Sequence, residues 1–277
     1  QLAQPPGGNE ISSTTPVFVN AIAPIAFLFF TPLGLGCLYL IVSGAVRAIS
    51  PERWRVSSAE WLPTGDALVV SATSRPQEDY PTNRIYRVDA VSGKMQEISA
   101  PRGPFEDLHV SPDGKSVAYL ASPAFGPAPH DLYLQPLDGG AARDLTATSI
   151  NRVIEAYQWQ PDGSLIAFTT NRDGQNEIYL MNADGSNPIN LTNNPADDQY
   201  PSWSVDGQSI AFSTNRDGNF EIYTVSPDGS NPINITRSKA DDGMPDWSPD
   251  SRQIAFSSNR TGNFDIYVIN SDGSTAP

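Results

Sequence analysis

The sequence has one cysteine, two histidines and almost no charge in its first fifty residues. Cys37 alone cannot form an intrachain disulfide, and it lies in an apolar run away from any histidine or second thiol. Neither a disulfide framework nor a thiol mechanism is encoded. His109 and His130 fall in no metal-ligand spacing; there is no Gly-x-Ser-x-Gly elbow and no phosphate-cradling glycine loop followed by lysine. These absences remove the commonest hydrolase, metalloenzyme and nucleotide-binding signatures, so no enzyme is expected and no metal site is assigned. Basic residues are outnumbered, 17 Lys and Arg against 31 Asp and Glu, which leaves a formal charge of −14. A surface of that sign repels phosphate backbones, and no nucleic acid is expected as a partner. Amphipathic helical periodicity is also absent, which excludes a helical solenoid.

The uncharged N-terminal part has its own organisation. Residues 1–16, QLAQPPGGNEISSTTP, are too poor in apolar side chains to pack and read as a flexible tail. A membrane segment is expected over 17–48, with its core at 25–46: IAFLFFTPLGLGCLYLIVSGAV has 22 residues and no charge. As a helix this core reaches about 33 Å, enough for the hydrocarbon layer. Pro32 with Gly34 and Gly36 would bend it, and Gly34, Gly36 and Gly44 would let a partner helix approach closely. The expected surroundings are the lipid bilayer and other integral membrane subunits. Arg47, Arg53 and Arg55 follow the span with no basic residue before it, a bias that places the following domain on the cytoplasmic side.

What the rest contains is repetition. Trp159, Trp203 and Trp247 stand 44 residues apart, in YQWQPDGSLIAFTTNRDGQNEIYLMNADG, PSWSVDGQSIAFSTNRDGNFEIYTVSPDG and PDWSPDSRQIAFSSNRTGNFDIYVINSDG. Two diverged copies precede them, AEWLPTGDALVVSATSR leading to NRIYRVDAVSG, and LHVSPDGKSVAYLAS leading to HDLYLQPLDGG, with His109 near the Trp position. In each unit, short alternating apolar segments are separated by Asp-Gly turns, which supply positive φ and a side chain that bonds its own backbone. Four short antiparallel strands repeated radially make a propeller blade. The expected fold is therefore all-β: a five-bladed propeller over 49–277, preceded by one transmembrane helix, with six blades the alternative if the chain continues. The last unit is one strand short, and a closing strand near 51–57 is expected to pair into it.

These units resemble the TolB-type, WD-like β-propeller repeat: an apolar-x-Trp-Ser-Pro-Asp-Gly turn, an Ile-Ala-Phe strand, a Ser/Thr-x-Arg-x-Gly turn, an Ile-Tyr strand and an Asp-Gly turn before Leu-Thr. The match is strong for Trp159–Thr192, Trp203–Thr236 and Trp247–Gly273 and partial for Trp61–Gly93 and Ser111–Thr146. Val205 stands where Pro is usual, Gln160 where Ser is usual and Ser251 where Gly is usual. The resemblance implies a propeller used for protein binding and a periplasmic setting, against the cytoplasmic bias of the arginines. The N-terminal domain of TolB has no counterpart here. Similar repeats form the propeller of some prolyl peptidases, whose hydrolase domain likewise has no counterpart in these residues.

Repetition separates architecture from candidate sites. Trp61, Trp159, Trp203 and Trp247, and Tyr86, Tyr133, Tyr179, Tyr223 and Tyr267, recur at fixed blade positions and read as packing between blades. Arg172, Arg216 and Arg260 recur likewise and read as partners of an aspartate or a carbonyl. The Asp-Gly turns, with Asp197-Asp198 and Asp241-Asp242, could offer oxygens to Ca²⁺, but four-residue turns are short for six converging ligands, and no cofactor is assigned. Asn190-Leu191-Thr192 and Asn234-Ile235-Thr236 match the glycosylation pattern and read as the repeat itself. A carboxylate pair could be assembled across a central channel only from distant residues, with Glu60, Asp107 and Glu155 the candidates. Partner-binding candidates are the unrepeated residues: Phe105, then Pro123, Phe125, Pro127 and Pro129 in the insertion ASPAFGPAPH (121–130), and Tyr80 in RPQEDYPTN (75–83). Both insertions join strands two and three of neighbouring blades, which projects them from one side. A stiff, proline-rich excursion loses little entropy on binding. The function expected is a membrane-anchored protein-binding or scaffold subunit, an accessory part of a larger membrane complex. The alternatives are a freestanding cell-envelope binding propeller, and a small-ligand-binding or hydrolytic one.

Overall fold

A computed structural model of the chain describes residues 25–30, 36–42, 45–48, 54–76, 82–122, 131–147 and 153–274. The five repeats are five antiparallel sheets, called blades here. Blade 1 holds β4 (Arg55–Trp61), β5 (Ala67–Thr73), β6 (Arg84–Asp89) and β7 (Met95–Ser99), after the N-terminal strands β1 (Ile25–Phe30), β2 (Gly36–Val42) and β3 (Ala45–Ala48). Blade 2 holds β8 (Phe105–Val110), β9 (Ser116–Ala121), β10 (Asp131–Pro136) and β11 (Arg143–Asp144). Blade 3 holds β12 (Ile154–Trp159), β13 (Leu165–Thr170), β14 (Glu177–Asn182) and β15 (Ile189–Asn190), and blade 4 β16 (Asp198–Trp203), β17 (Ile210–Thr214), β18 (Glu221–Val225) and β19 (Ile233–Asn234). Blade 5 holds β20 (Asp242–Trp247), β21 (Gln253–Ser258) and β22 (Asp265–Asn270). Inner strands of successive blades lie side by side, β12 on β16 and β16 on β20.

The alternating strands interleave as the repeat demands. Phe168, Phe212 and Phe256 occupy one position on second strands and are 2% exposed or less. Burying each contributes about 1.5–3 kcal/mol. Apolar clusters bridge the blades: Leu120 and Leu132 meet Trp159 and Ile166, Ala167 and Ile178 meet Trp203 and Phe212, and Ala211 and Ile222 meet Ile254 beside Trp247. The repeated tryptophans thus serve equivalent packing roles. The fourth strands of blades 2, 3 and 4 are only two residues long, and the threonine that follows extends them: the hydroxyls of Thr146, Thr192 and Thr236 accept the backbone N–H of Leu132, Ile178 and Ile222 at 3.0, 3.1 and 3.1 Å. Within the glycosylation-like triplets, Asn190 and Asn234 donate to Glu177 and Glu221.

The three departures from the repeat pattern join neighbouring blades. Gln160 Nε2 donates to the Gly207 carbonyl at 3.4 Å, and Gly207 itself sits at φ +68° with Gln160 where a Cβ would point. Val205 N, an amide that proline would lack, donates to Ser251 Oγ at 3.0 Å. Ser251 adopts φ +57° in the position where glycine is usual. Its hydrogen bond offsets that strain.

Two expectations are not shown by the described residues. The closing strand near 51–57 is not formed by the described residues: Arg55, Val56 and Ser57 belong to β4, which pairs with β5. Blade 5 therefore has three strands among the described residues, and Ile266 is 75% exposed where its counterparts Ile178 and Ile222 are 0%. The helix expected over 25–46 is likewise not shown by the described residues there. β1, β2 and β3 make an antiparallel sheet in that order, with Ile25 opposite Ile41 and Tyr39 opposite Ala48. Pro32 lacks an amide donor, and glycines hold a helix poorly, so Pro32 to Gly36 is where a helix is weakest. Gly36 opens β2; Gly34 and Gly44 lie outside the described residues, as does the 1–16 tail. No helix among the described residues is long and apolar enough to cross a membrane.

Candidate functional site

The inner strands face the propeller axis, and register identifies what they present. Glu60, His109, Gln158, Ser202 and Asp246 are equivalent, paired with Val69, Ala118, Ala167, Ala211 and Ala255 on second strands. His109 thus stands one residue before the Trp position, which Val110 holds. Each inner strand bulges a few residues earlier, and the bulges leave Asp107, Tyr200 and Met244 at φ +53°, +56° and +54°. Backbone held in this region is unfavourable for side-chain-bearing residues.

Together these residues border an axial cavity of about 460 Å³, lined by Glu60, Asp107, His109, Tyr157, Tyr200, Met244 and Asp246 among others. His109 is clamped between two carboxylates, Nε2 lying 3.0 Å from Asp107 Oδ1 and Nδ1 3.5 Å from Glu60 Oε2. Hydrogen bonds to Asp107 and then to Glu60 raise its pKa to about 10, against the burial that would lower it. Its ring meets the edge of Tyr157, and Tyr157 Oη donates to the Asp107 carbonyl at 2.5 Å. Burial first, then the charges of Asp107 and Glu60, push the Tyr157 hydroxyl well above its ordinary range. Glu60 also accepts the Val110 N–H at 2.9 Å, and Gln158 accepts the Trp203 N–H in the same manner. An imidazolium with both N–H groups engaged is no general base at neutral pH. This cluster joins blades 1, 2 and 3. Of the carboxylates read toward the channel, Glu60 and Asp107 reach it, whereas Glu155 is exposed and accepts from Asn176 at 3.1 Å.

A larger cavity of about 920 Å³ opens on the rim beside Trp54, Arg75, Arg84, Tyr86, Glu97 and Arg102. A second, of about 280 Å³, shares Ala100, Pro101 and Arg102 with it and adds Tyr119, Ser122 and Tyr133. Trp54 meets Tyr86 edge-on at 5.2 Å, and Arg84 pairs with Glu97 at 3.0 Å. Arg75, Thr82 and Asn83 are the stem of one insertion and Ser122 of the other, so the structure brings both stems to adjoining cavities. Their tips, with Tyr80, Pro123, Phe125, Pro127 and Pro129, lie outside the described residues. Phe105 packs against Tyr119 at 5.5 Å, half-buried in the cluster between blades 1 and 2.

The aspartates of the turns face inward to their own loops. Asp206 accepts from Ser204 Oγ at 2.6 Å and Gln208 N at 3.0 Å, which lowers its pKa, and Asp113 and Asp250 do the same. Asp173 and Asp217 accept the hydroxyls of Tyr179 and Tyr223. Among the described residues no group of three or more His, Cys, Asp or Glu converges as a metal would require. Sequence reasoning missed the His109 clamp, because its partners come from two different strands; aligning the residue before each Trp position would have placed Glu60 beside it.

Residues 107–236 match the family model for the TolB beta propeller domain. The resemblance read from the repeats holds over that span. Among curated proteins no match was found. A protein described as TolB from Agrobacterium tumefaciens is 25% identical, with a TM-score of 0.59, over 83% of this chain and 82% of that one. Oligogalacturonate lyase from Vibrio parahaemolyticus is 16% identical, with a TM-score of 0.67, over 88% of this chain and 73% of that one. A puromycin-hydrolyzing peptidase of Mycobacterium tuberculosis is 14% identical, with a TM-score of 0.68, over 93% of this chain and 43% of its own length. At such identities the lyase and the peptidase share the fold alone. Acinetobacter baumannii TolB matches over 62% of its length, so this chain spans less than two thirds of that protein.

Proposed function

We propose that this TolB-like propeller is a protein-binding scaffold held at a membrane, an accessory subunit of a larger membrane complex. The observation that carries the reading is the position of the rim cavities. Two adjoining cavities, one bordered by the stem of each unrepeated insertion, are lined by aromatic and arginine side chains, the residue types that dominate binding hot spots. The axial cluster, by contrast, offers an ion-paired imidazolium and no activated nucleophile.

Membrane attachment rests on the 22 uncharged residues of 25–46. Hydrocarbon penalises open sheet edges, whose amides find no partner, so a bilayer selects a helix for this run. Circular dichroism of the segment in lipid vesicles is the check, with helical signal expected. The TolB resemblance favours an envelope-facing propeller and Arg47, Arg53 and Arg55 favour the cytoplasmic side; protease digestion of sealed vesicles separates them. For the scaffold itself, the test is gentle detergent extraction followed by sizing and mass spectrometry. A stoichiometric companion protein is the expected result, and a lone monomer overturns the reading.

A further inference from the structure

Arg172, Arg216 and Arg260 hold one repeat position, and each guanidinium lies over two aromatic rings of its own blade. The distances are 5.3 and 4.5 Å to Phe168 and Tyr179, 5.3 and 4.7 Å to Phe212 and Tyr223, and 5.2 and 4.4 Å to Phe256 and Tyr267. Two of the three also have an acid. Arg216 Nη2 lies 3.2 Å from Asp198 Oδ1 and Arg260 Nη2 3.1 Å from Asp242 Oδ1, and both aspartate side chains are 0% exposed. In both blades the arginine Nε donates to the hydroxyl of Thr214 or Ser258.

Blade 3 keeps the arginine and the rings and lacks the acid. The strand position opposite Thr214 is Asp198 and opposite Ser258 is Asp242, but opposite Thr170 it is Ile154. The preceding connection cannot compensate, since residues 145–154, LTATSINRVI, contain no Asp or Glu. Arg172 has no ion pair among the described residues, and its Nε is buried without a hydrogen bond. Thr170 Oγ1, Asn171 Oδ1 and Asn176 Oδ1 are buried and unbonded as well. In blade 4 the counterpart Asn215 Oδ1 accepts the Asp197 N–H at 2.9 Å. The nearest carboxylates are engaged elsewhere, Asp173 by Tyr179 and Glu155 by Asn176. Burial lowers the Arg172 pKa against the nearby charge of Asp173, yet a guanidinium keeps its proton, so the site holds a half-buried cation with no carboxylate in direct contact among the described residues. Such a charge is unfavourable until a partner arrives.

We propose that Arg172 is a binding position for an external carboxylate, which meets the guanidinium from its solvent-facing side and supplies the charge that Asp198 and Asp242 supply internally in blades 4 and 5; in blade 3 buried Ile154 stands in their place. The ligand class follows from those two blades, where the same arginine between the same rings holds a carboxylate. The source is an acidic side chain of a polypeptide or a free acid. The site does not depend on the scaffold reading, because a free acid would serve it equally.

The test is ¹⁵N side-chain NMR of the arginines in the detergent-solubilised full chain. The probes are sodium acetate and an end-blocked hexa-aspartate peptide, with hexa-asparagine as control. The Arg172 Nε–H resonance is expected to shift saturably with a carboxylate probe while those of Arg216 and Arg260 stay in place, and hexa-asparagine is expected to do nothing. Saturation by the peptide at about a tenfold lower concentration than acetate assigns a polypeptide source; saturation by acetate at equal or lower concentration assigns a free acid. Arg172→Gln and Ile154→Asp should each abolish the response, the second by building the internal pair. Should either variant fail to fold, Asp198→Asn supplies the converse, because it should make Arg216 respond to the same probes. No movement of Arg172 with either carboxylate, or equal movement of Arg172 and Arg216 in the unsubstituted chain, overturns the proposal.

Discussion

Blades 3 and 4 repeat one another nearly residue for residue, while blades 1 and 2 keep the strands and vary what lies between them. The two pairs use polar side chains differently. In blade 4, Arg216 is closed by Asp198, Tyr223 by Asp217 and Asn234 by Glu221, so these groups are engaged within the blade. In blades 1 and 2, Arg102 is exposed on the rim, Tyr86 and Tyr133 line cavities, and the stems of two insertions border adjoining cavities. Strict repetition marks residues engaged in holding blades together; departures are of two kinds, those at Gln160, Val205 and Ser251 that also join blades, and those at which we propose another molecule is met. Arg172 is a departure of the second kind inside a strict blade, produced by one residue, Ile154.

The contrast can be broken most forcefully in blade 4. Asp198→Ala leaves the guanidinium of Arg216 without its buried partner, and the loss expected is about 3–5 kcal/mol by urea denaturation. A loss below about 1 kcal/mol would mean that the repeated pair is ornamental. A smaller effect is expected at the axis. His109 has a folded pKa of about 10, above its unfolded value, so its clamp stabilises fully below about pH 6.5 and fades as pH rises toward 10. His109→Gln should remove that slope; an unchanged stability profile between those pH values would show that the clamp contributes nothing. The seam between blades 4 and 5 sharpens the comparison further. Ser251→Gly relieves a positive φ but loses the bond from Val205, and should be nearly neutral, whereas in a Val205→Pro background it should stabilise. A coupling of about 1 kcal/mol in that double-mutant cycle is expected, and additivity would sever the two departures. The smallest change in stability belongs to the rim, where Arg102→Glu should stay within about 0.5 kcal/mol while the companion protein is lost from the detergent extract.

Much of this was legible before any coordinates. Asp-Gly turns, alternating strands and a 44-residue period are local signals with one geometric solution, so the blades and the equivalent packing of Trp159, Trp203 and Trp247 follow from them. The pairing of Arg216 and Arg260 with aspartates was legible as well, because position 198 or 242 repeats with the arginine. What was not legible depends on contacts across blades. His109 takes Glu60 from blade 1 and Asp107 from across its own bulge, and no local pattern announces either. Phe105 looked free because it is unrepeated, but it packs on Tyr119. The strand at 51–57 looked spare because no blade had been assigned to it, yet residues 55–57 begin β4. The apolar run at 25–46 has a composition that suits a helix in lipid, while its described residues pair β1 with β2.

The division between repeated architecture and irregular binding surface is tested most directly by hydrogen–deuterium exchange, comparing the chain in its gently extracted assembly with the purified chain alone. Added protection in the assembly is expected in peptides covering 74–84, 99–105 and 120–131, with no change in the strands of Trp203–Thr236. Protection confined to those repeat strands, or no difference anywhere, would contradict it.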